Sequence, residues 1–304
     1  MDVTCDGKWF WVEPPTARVA AAAERILDIR LADVQKFLPL AARHDADDPE
    51  YVHQLRVSCR RAAAALRAFE PLAGRGGRKL KRWLKRLREA AGPARDADVY
   101  LARLRSELDP ANRYAQEIVD VVRQSRDEAQ AALVKIDKQV AAGAFQQAID
   151  KTLDRIARGD GELADQSFAE FARHAIAEAA HAIETVDAAA ASVTELHQLR
   201  IAAKRLRYAI EIFHSAGAPE LRRELYPQVE EMQERLGAVN DRSASQARLQ
   251  QWLAELPAAG LAAFVAGLVV SEHAAAGRLR REFLQWWTAE RHAQVTDGLA
   301  AAFA

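Results

Sequence analysis

Two strings in this chain place a histidine three residues ahead of an arginine and follow the pair with more cations. They are VHQLRVSCRRAAAALRAF, residues 52–69, and LHQLRIAAKRLRYAIEIF, residues 196–213. Wound as helices, at about 100° per residue, both strings sort by chemistry. In the first, His53, Arg56, Arg60 and Arg67 form one stripe with Arg61 beside it, while Leu55, Ala62, Leu66 and Phe69 lie opposite. In the second, His197, Arg200, Lys204 and Tyr208 share a face flanked by Arg205 and Arg207, and Leu199, Leu206, Ile210 and Phe213 lie opposite. A further helical stretch adds Arg78, Lys81, Arg82, Lys85 and Arg88 on one side, with Leu80, Trp83, Leu84 and Leu87 on the other.

Between His53 and Arg88 stand twelve Arg and Lys residues against one carboxylate, Glu70, in a chain whose 43 basic and 43 acidic residues cancel. Such crowding has a cost. Like charges at i, i+4 destabilise a helix by roughly 0.2–0.5 kcal/mol per pair. Arg56/Arg60, Arg78/Arg82, Lys81/Lys85 and Arg82/Arg86 all stand at that spacing. Solvated helices intersperse carboxylates to relieve it, so their scarcity here points to a ligand that supplies the counter-charge. Arginine offers a planar fork that fits phosphate oxygens, and lysine adds a compact charge. A histidine in this field is neutral when the surface is empty and gains a proton when a polyanion arrives.

The expected chemistry is therefore binding and not catalysis. No cofactor or metal is expected: Arg56 beside His53 disfavours a cation, and Glu50 before His53 is matched by Thr194 before His197. The helix after the second string is more acidic, with Glu224, Glu230, Glu231 and Glu234 among Arg222, Arg223 and Arg235. The first half thus supplies more of the positive surface.

The elements that must carry these residues are helices. The 304-residue chain is rich in Ala, Leu, Arg, Glu and Gln, which lose little freedom in a helix. No alternating strand pattern stands out, so no sheet is expected. Residues 1–15 read as a loose extension. Thr16 caps a helix to about Leu40, Asp47-Asp48-Pro49 opens another to Leu72, and Gly74 to Gly77 breaks the chain. A third helix ends near Gly92 and Pro93 begins a fourth to Leu108. Asp109-Pro110 opens a long helix to about Gly143, and a shorter one reaches Arg158. The stretch 159–166, with Gly159-Asp160-Gly161, divides a first half, 16–158, from a second, 167–304. In the second half helices are expected over about 167–190, 192–214, 220–237 and 238–256, with more after Pro257. Beyond the paired strings, LREAAGPARDADV at 87–99 resembles MQERLGAVNDRSA at 232–244, so that Gly92 matches Gly237 and Asp96 matches Asp241. This reads as internal duplication of a helical unit with an approximate two-fold relation. Each aspartate is expected to orient an arginine or cap a helix.

Cys5 and Cys59 do not suggest a disulfide framework, which fits a reducing compartment. Cys59 matches Ala203 and reads as a small packing residue. The start of the chain lacks the pattern of a secretory signal. The apolar run at 261–270 reads as a buried helix too short to span a membrane.

The doubled His-x-x-Arg, the basic residues seven and eight positions after each histidine, and the later Gly-x-x-Arg/Asn-Asp resemble the CHAD family, the conserved histidine α-helical domain. The resemblance extends from about residue 16 onward. It implies an all-α fold of two tandem four-helix-bundle-like halves with basic faces meeting at a central groove. It also implies inorganic polyphosphate as ligand and cytoplasmic residence, in association with polyphosphate granules and their proteins. Carried over by position, the binding residues are His53, Arg56, Arg60, Arg61, Arg82, Lys85, Arg88, His197, Arg200, Lys204 and Arg205, to which the helical faces add Arg78, Lys81, Arg207 and Tyr208. The alternating Glu-x-Glu-x-Lys strand of the triphosphatase domain fused to some relatives is absent from the sequence. Nucleic-acid binding and metal-dependent phosphate handling are the alternatives; no recognition-helix or stacking pattern favours nucleic acid.

Overall fold

The computed structural model of the chain describes residues 1–44, 48–159, 161–184, 192–255 and 259–302. Its architecture is all-α apart from one small sheet among the described residues. Two compact units divide at Phe171/Ala172.

The first unit opens with a feature the sequence reading missed. Residues 2–13 form an antiparallel hairpin, β1 (Asp2–Asp6) and β2 (Trp9–Glu13), in the register Val3↔Val12 and Cys5↔Phe10. Its strands are only five residues each, too short for alternation to stand out. Val3, Phe10 and Val12 are nevertheless buried. The fastening is Arg30, a fully buried arginine of α1 (Val19–Arg43). Its guanidinium donates to the Gly7 carbonyl at 3.2 Å and the Lys8 carbonyl at 2.7 Å and lies 4.4 Å from the Phe10 ring. The hairpin is thus part of the folded unit, not a loose extension.

α1 packs on α2 (Glu50–Ala68), α4 (Arg113–Ala141) and α5 (Ala144–Arg158), and α3 (Glu70–Glu107) packs on α2, α4 and α5. Ile26, Leu27, Val34, Leu55, Leu66, Leu80, Leu84, Leu87 and Phe145 are all buried in the core. α1 starts at Val19, three residues after Thr16, and Asp47 lies outside the described residues. The expected break at Gly74 is a kink inside α3, where Gly74 adopts φ +56°. The expected break at Pro93 does not occur. Proline in a helix interior costs about 3 kcal/mol, but Leu87, Ala91, Ala94, Ala97 and Tyr100 bury one continuous face and the helix runs on to Glu107. α4 begins after Asn112, whose side chain accepts from the Tyr114 and Ala115 amides. A short α6 (Glu162–Asp165) leads to α7 (Phe168–Glu184), which crosses from the first unit into the second.

In the second unit α8 (Val193–Phe213) starts in a capping box. Ser192 Oγ accepts from the Glu195 amide and Glu195 accepts from the Ser192 amide, which holds the Glu195 carboxyl below its ordinary value. A π-helical turn (Leu221–Leu225) precedes α9 (Tyr226–Glu255), which runs unbroken past Gly237. α9 packs on α8 and α10 (Ala259–Trp286), and α11 (Ala289–Ala301) packs on the π-helical turn. The apolar run at 261–270 is not a short buried helix. It lies in the 28-residue α10, which by length and composition alone could cross a membrane and has only 22% of its apolar stretch buried. Its inward face carries Glu272, buried and 3.4 Å from Arg242 of α9, as expected of a helix packed on protein.

Replacing Arg30 with alanine strips two carbonyls of their donor and opens a cavity behind Phe10. The expected loss is about 2–4 kcal/mol of unfolding free energy, read by urea denaturation. An unchanged midpoint would mean that the hairpin is held by something else.

Candidate functional site

In the first unit the apolar face of α2 buries Val52, Leu55, Cys59, Ala62 and Leu66, and that of α3 buries Leu80, Trp83, Leu84 and Leu87. This burial turns the basic faces outward. Arg78, Lys81, Arg82, Lys85 and Arg88 are exposed, while His53, Arg56, Arg60 and Arg61 are half-buried along α2. Carboxylates reach part of this surface. Arg56 Nη2 lies 3.5 Å from Asp96 Oδ1, Lys81 Nζ 3.3 Å from Glu70 and Lys85 Nζ 3.5 Å from Glu89. Arg60, Arg78, Arg82 and Arg88 have no carboxylate at ion-pair distance among the described residues.

The field acts on its own members. Burial first, then Arg95, pushes the His53 imidazole below its ordinary value, with Arg60 and Arg56 adding to the effect and Glu50 opposing it. Glu50 is 3.9 Å away, too far for a hydrogen bond. Arg56 is lowered by burial first; Asp96 opposes this, while Arg60, Arg88 and Arg95 reinforce it. The guanidinium remains charged. Asp96 takes the expected role of orienting an arginine. Arg95 was absent from the sequence-derived set although it is the strongest charge on His53. It sits in the Gly-x-x-Arg/Asn-Asp pattern, and its counterpart Asn240 carries no charge to flag it. Burial lifts the Cys59 thiol to about 12, as suits a packing residue.

The second unit differs. His197 and Arg205 are exposed and Arg200 is half-buried, none with a carboxylate at ion-pair distance among the described residues, and Lys204 is half-buried. One turn later the expectation fails. Tyr208 is 6% exposed, and Glu211, Ile212, Phe213 and His214 are buried with it. The C-terminal half of α8 enters the core, so Tyr208 does not join the open basic face. Arg207 is committed to carboxylates: its Nη1 lies 3.2 Å from Glu230 and 4.0 Å from the buried Glu211. The Tyr226 hydroxyl stands 2.9 Å from Glu211 and 3.0 Å from Glu230. Burial opposes the Arg207 charge, but Glu211, Tyr208 and Tyr226 outweigh it and raise the group. Burial and then Glu211 push the Tyr226 phenol far up. Arg207 thus neutralises the buried Glu211 and the half-buried Glu230.

Comparison with known proteins bears on the family and the fold. A family model described as the CHAD domain matches residues 25–250. The crystal structure of the CHAD domain from the plant Ricinus communis superposes with a TM-score of 0.67 at 24% identity, covering 94% of this chain and 93% of that one. PptA from Streptomyces chartreusis superposes with a TM-score of 0.64 at 17% identity, covering 89% and 99% respectively. At these identities the likeness is one of fold. No curated protein sequence matches the chain.

The His53 environment fixes a sign. Its folded-state value lies below about 6.5, the unfolded reference, so the unfolded chain binds the proton more readily. The contribution of neutral His53 to stability is present above that pH and is lost as pH falls through the window beneath it. The thermal midpoint should therefore fall less steeply below pH ~6.5 in His53→Gln than in the wild type. Parallel curves would remove His53 from the field.

Proposed function

The chain belongs to the CHAD family, and on that footing we propose that it binds inorganic polyphosphate through the basic faces of its two units, acting as a binding module and not as a catalyst. The observation that carries this reading is the set formed by the half-buried Arg60 of α2 and the exposed Arg78, Arg82 and Arg88 of α3, which have no carboxylate partners among the described residues. A chain of phosphates supplies regularly spaced anionic oxygens. Arginine forks donate to these in pairs, and Lys81 and Lys85 can exchange their exposed carboxylates for phosphate at little cost, since exposed pairs are worth only about 0–1 kcal/mol. In the second unit the reading assigns His197, Arg200, Lys204 and Arg205 to the ligand and leaves Arg207 and Tyr208 to the core. It further places the protein in the cytoplasm at polyphosphate granules, where bound polymer recruits it beside granule proteins.

Binding of a dense polyanion releases counterions, so affinity must fall steeply with salt. Calorimetric titration with medium-length polyphosphate at two salt concentrations is expected to show this. The double reversal Arg60→Glu and Arg88→Glu should weaken binding by at least about 100-fold, as expected when two charge-assisted contacts turn repulsive. Reversal of the committed Arg207 should instead lower stability. Polyphosphate should also raise the thermal midpoint. Absence of both heat and thermal shift at low salt contradicts the reading, and displacement of polyphosphate by equimolar tRNA would favour a nucleic acid as ligand.

A further inference from the structure

Gly92 sits inside α3, buried and at a negative φ, where no turn calls for glycine. Glycine there weakens the helix relative to alanine. Two other helical glycines, Gly77 and Gly298, have a packing reason, whereas Gly237 and Gly267 have open space where a Cβ would stand. A Cβ at Gly77 would meet the Ala73 Cβ at 2.7 Å, and one at Gly298 would meet Leu225 Cδ2 at 2.5 Å. At Gly92, apart from its own helix backbone and chain neighbours, the only atom of the described residues within 4 Å of an added Cβ is Arg56 Nη1, at 2.9 Å. The Arg56 guanidinium lies against the bare helix backbone, and its Nη2 reaches Asp96 one turn further on. Gly237, the counterpart in the second unit, has nothing within 4 Å of the added Cβ.

We propose that Gly92 is a positioning residue for the phosphate-binding surface: its missing side chain is the berth in which the Arg56 guanidinium rests, fixed against Asp96 and presented to the ligand. Gly92 and Asp96 together hold Arg56 in one rotamer, so the first unit offers a preset arginine fork. The second unit has no such berth at Gly237. Arg200 is then ordered only when ligand arrives and loses rotamer freedom on binding that Arg56 has already given up. The first unit is accordingly the tighter half of the surface.

This inference rests on the polyphosphate reading for its ligand, but the berth can be tested without one. Thermal midpoints of the full chain are measured for Gly92→Ala, Arg56→Met and the double variant. With the guanidinium gone, alanine at 92 should raise the midpoint by about 2–4 °C through helix propensity. With Arg56 present the gain should vanish, because the guanidinium is driven off Asp96. Polyphosphate titration supplies the second arm. Gly92→Ala should weaken binding about three- to tenfold, the scale of one charge-assisted contact partly lost, while Gly237→Ala stays within about twofold and gains midpoint through helix propensity. Equal midpoint gains in both Arg56 backgrounds would overturn the berth. Coupling in the midpoints with unchanged affinity for Gly92→Ala would overturn its role in binding. A wild type that binds no polyphosphate would overturn the functional reading, leaving the berth to be decided by the midpoints alone.

Discussion

Repulsion among the cations of α2 and α3 is the constraint under which the rest of the first unit is built. Five i, i+4 pairs of like charge, Arg75/Lys79 among them, cost about 1–2.5 kcal/mol in all at the usual rate per pair. Against this, each fully buried leucine or phenylalanine contributes about 1.5–3 kcal/mol, and Leu55, Leu66, Leu80, Leu84 and Leu87 are buried on the inner faces of these two helices. Packing wins by a wide margin. That is why the surface can keep Arg60, Arg78, Arg82 and Arg88 without carboxylate partners and still hold them in a fixed array. Carboxylates appear at the margins, where Glu70 and Glu89 lie beside the exposed Lys81 and Lys85 and Asp96 beside the half-buried Arg56.

The second unit answers a similar string differently. Where the first has the exposed Arg67, the second has the buried Glu211, and Arg207 with Tyr226 turns inward to serve it. Breaking such a buried pair costs several kcal/mol, so Arg207 is held by the fold. What stays open are His197 and Arg200 near the start of α8 and Arg205 just past its middle. The two units thus carry one motif with unequal charge: the second has the buried Glu211 within the string and Glu224, Glu230, Glu231 and Glu234 in the segment that follows.

Much of this was legible in the residues. Helical periodicity gave the all-α class, the sides of α2 and α3 and the outward set from Arg78 to Arg88, because both helices bury one face along their whole length. It failed where burial changes along a helix: the wheel of α8 treats Tyr208 like His197, though Tyr208 and the last turn of the helix are buried. Pro93 and Gly237 looked like breaks because local propensity cannot see the tertiary face that carries a helix across them. The hairpin was too short to read, and its anchor, Arg30, lies in an otherwise ordinary stretch of helix. Arg95 and the berth at Gly92 depend on which helix passes beside which, information that no spacing within one string contains.

The central claim is that the segment from His53 to Arg88 carries positive charge left uncompensated by the protein itself. Amide hydrogen exchange over residues 53–88 in the unliganded protein, compared between about 10 mM and 150 mM sodium chloride, tests it most directly, because the Debye length falls over that range from about 30 Å to 8 Å. If the charges repel one another, added salt screens them and exchange in this segment slows, while the hairpin and α1 change little. Exchange that stays constant or quickens there would show the cations already neutralised by protein groups, and the account would fail.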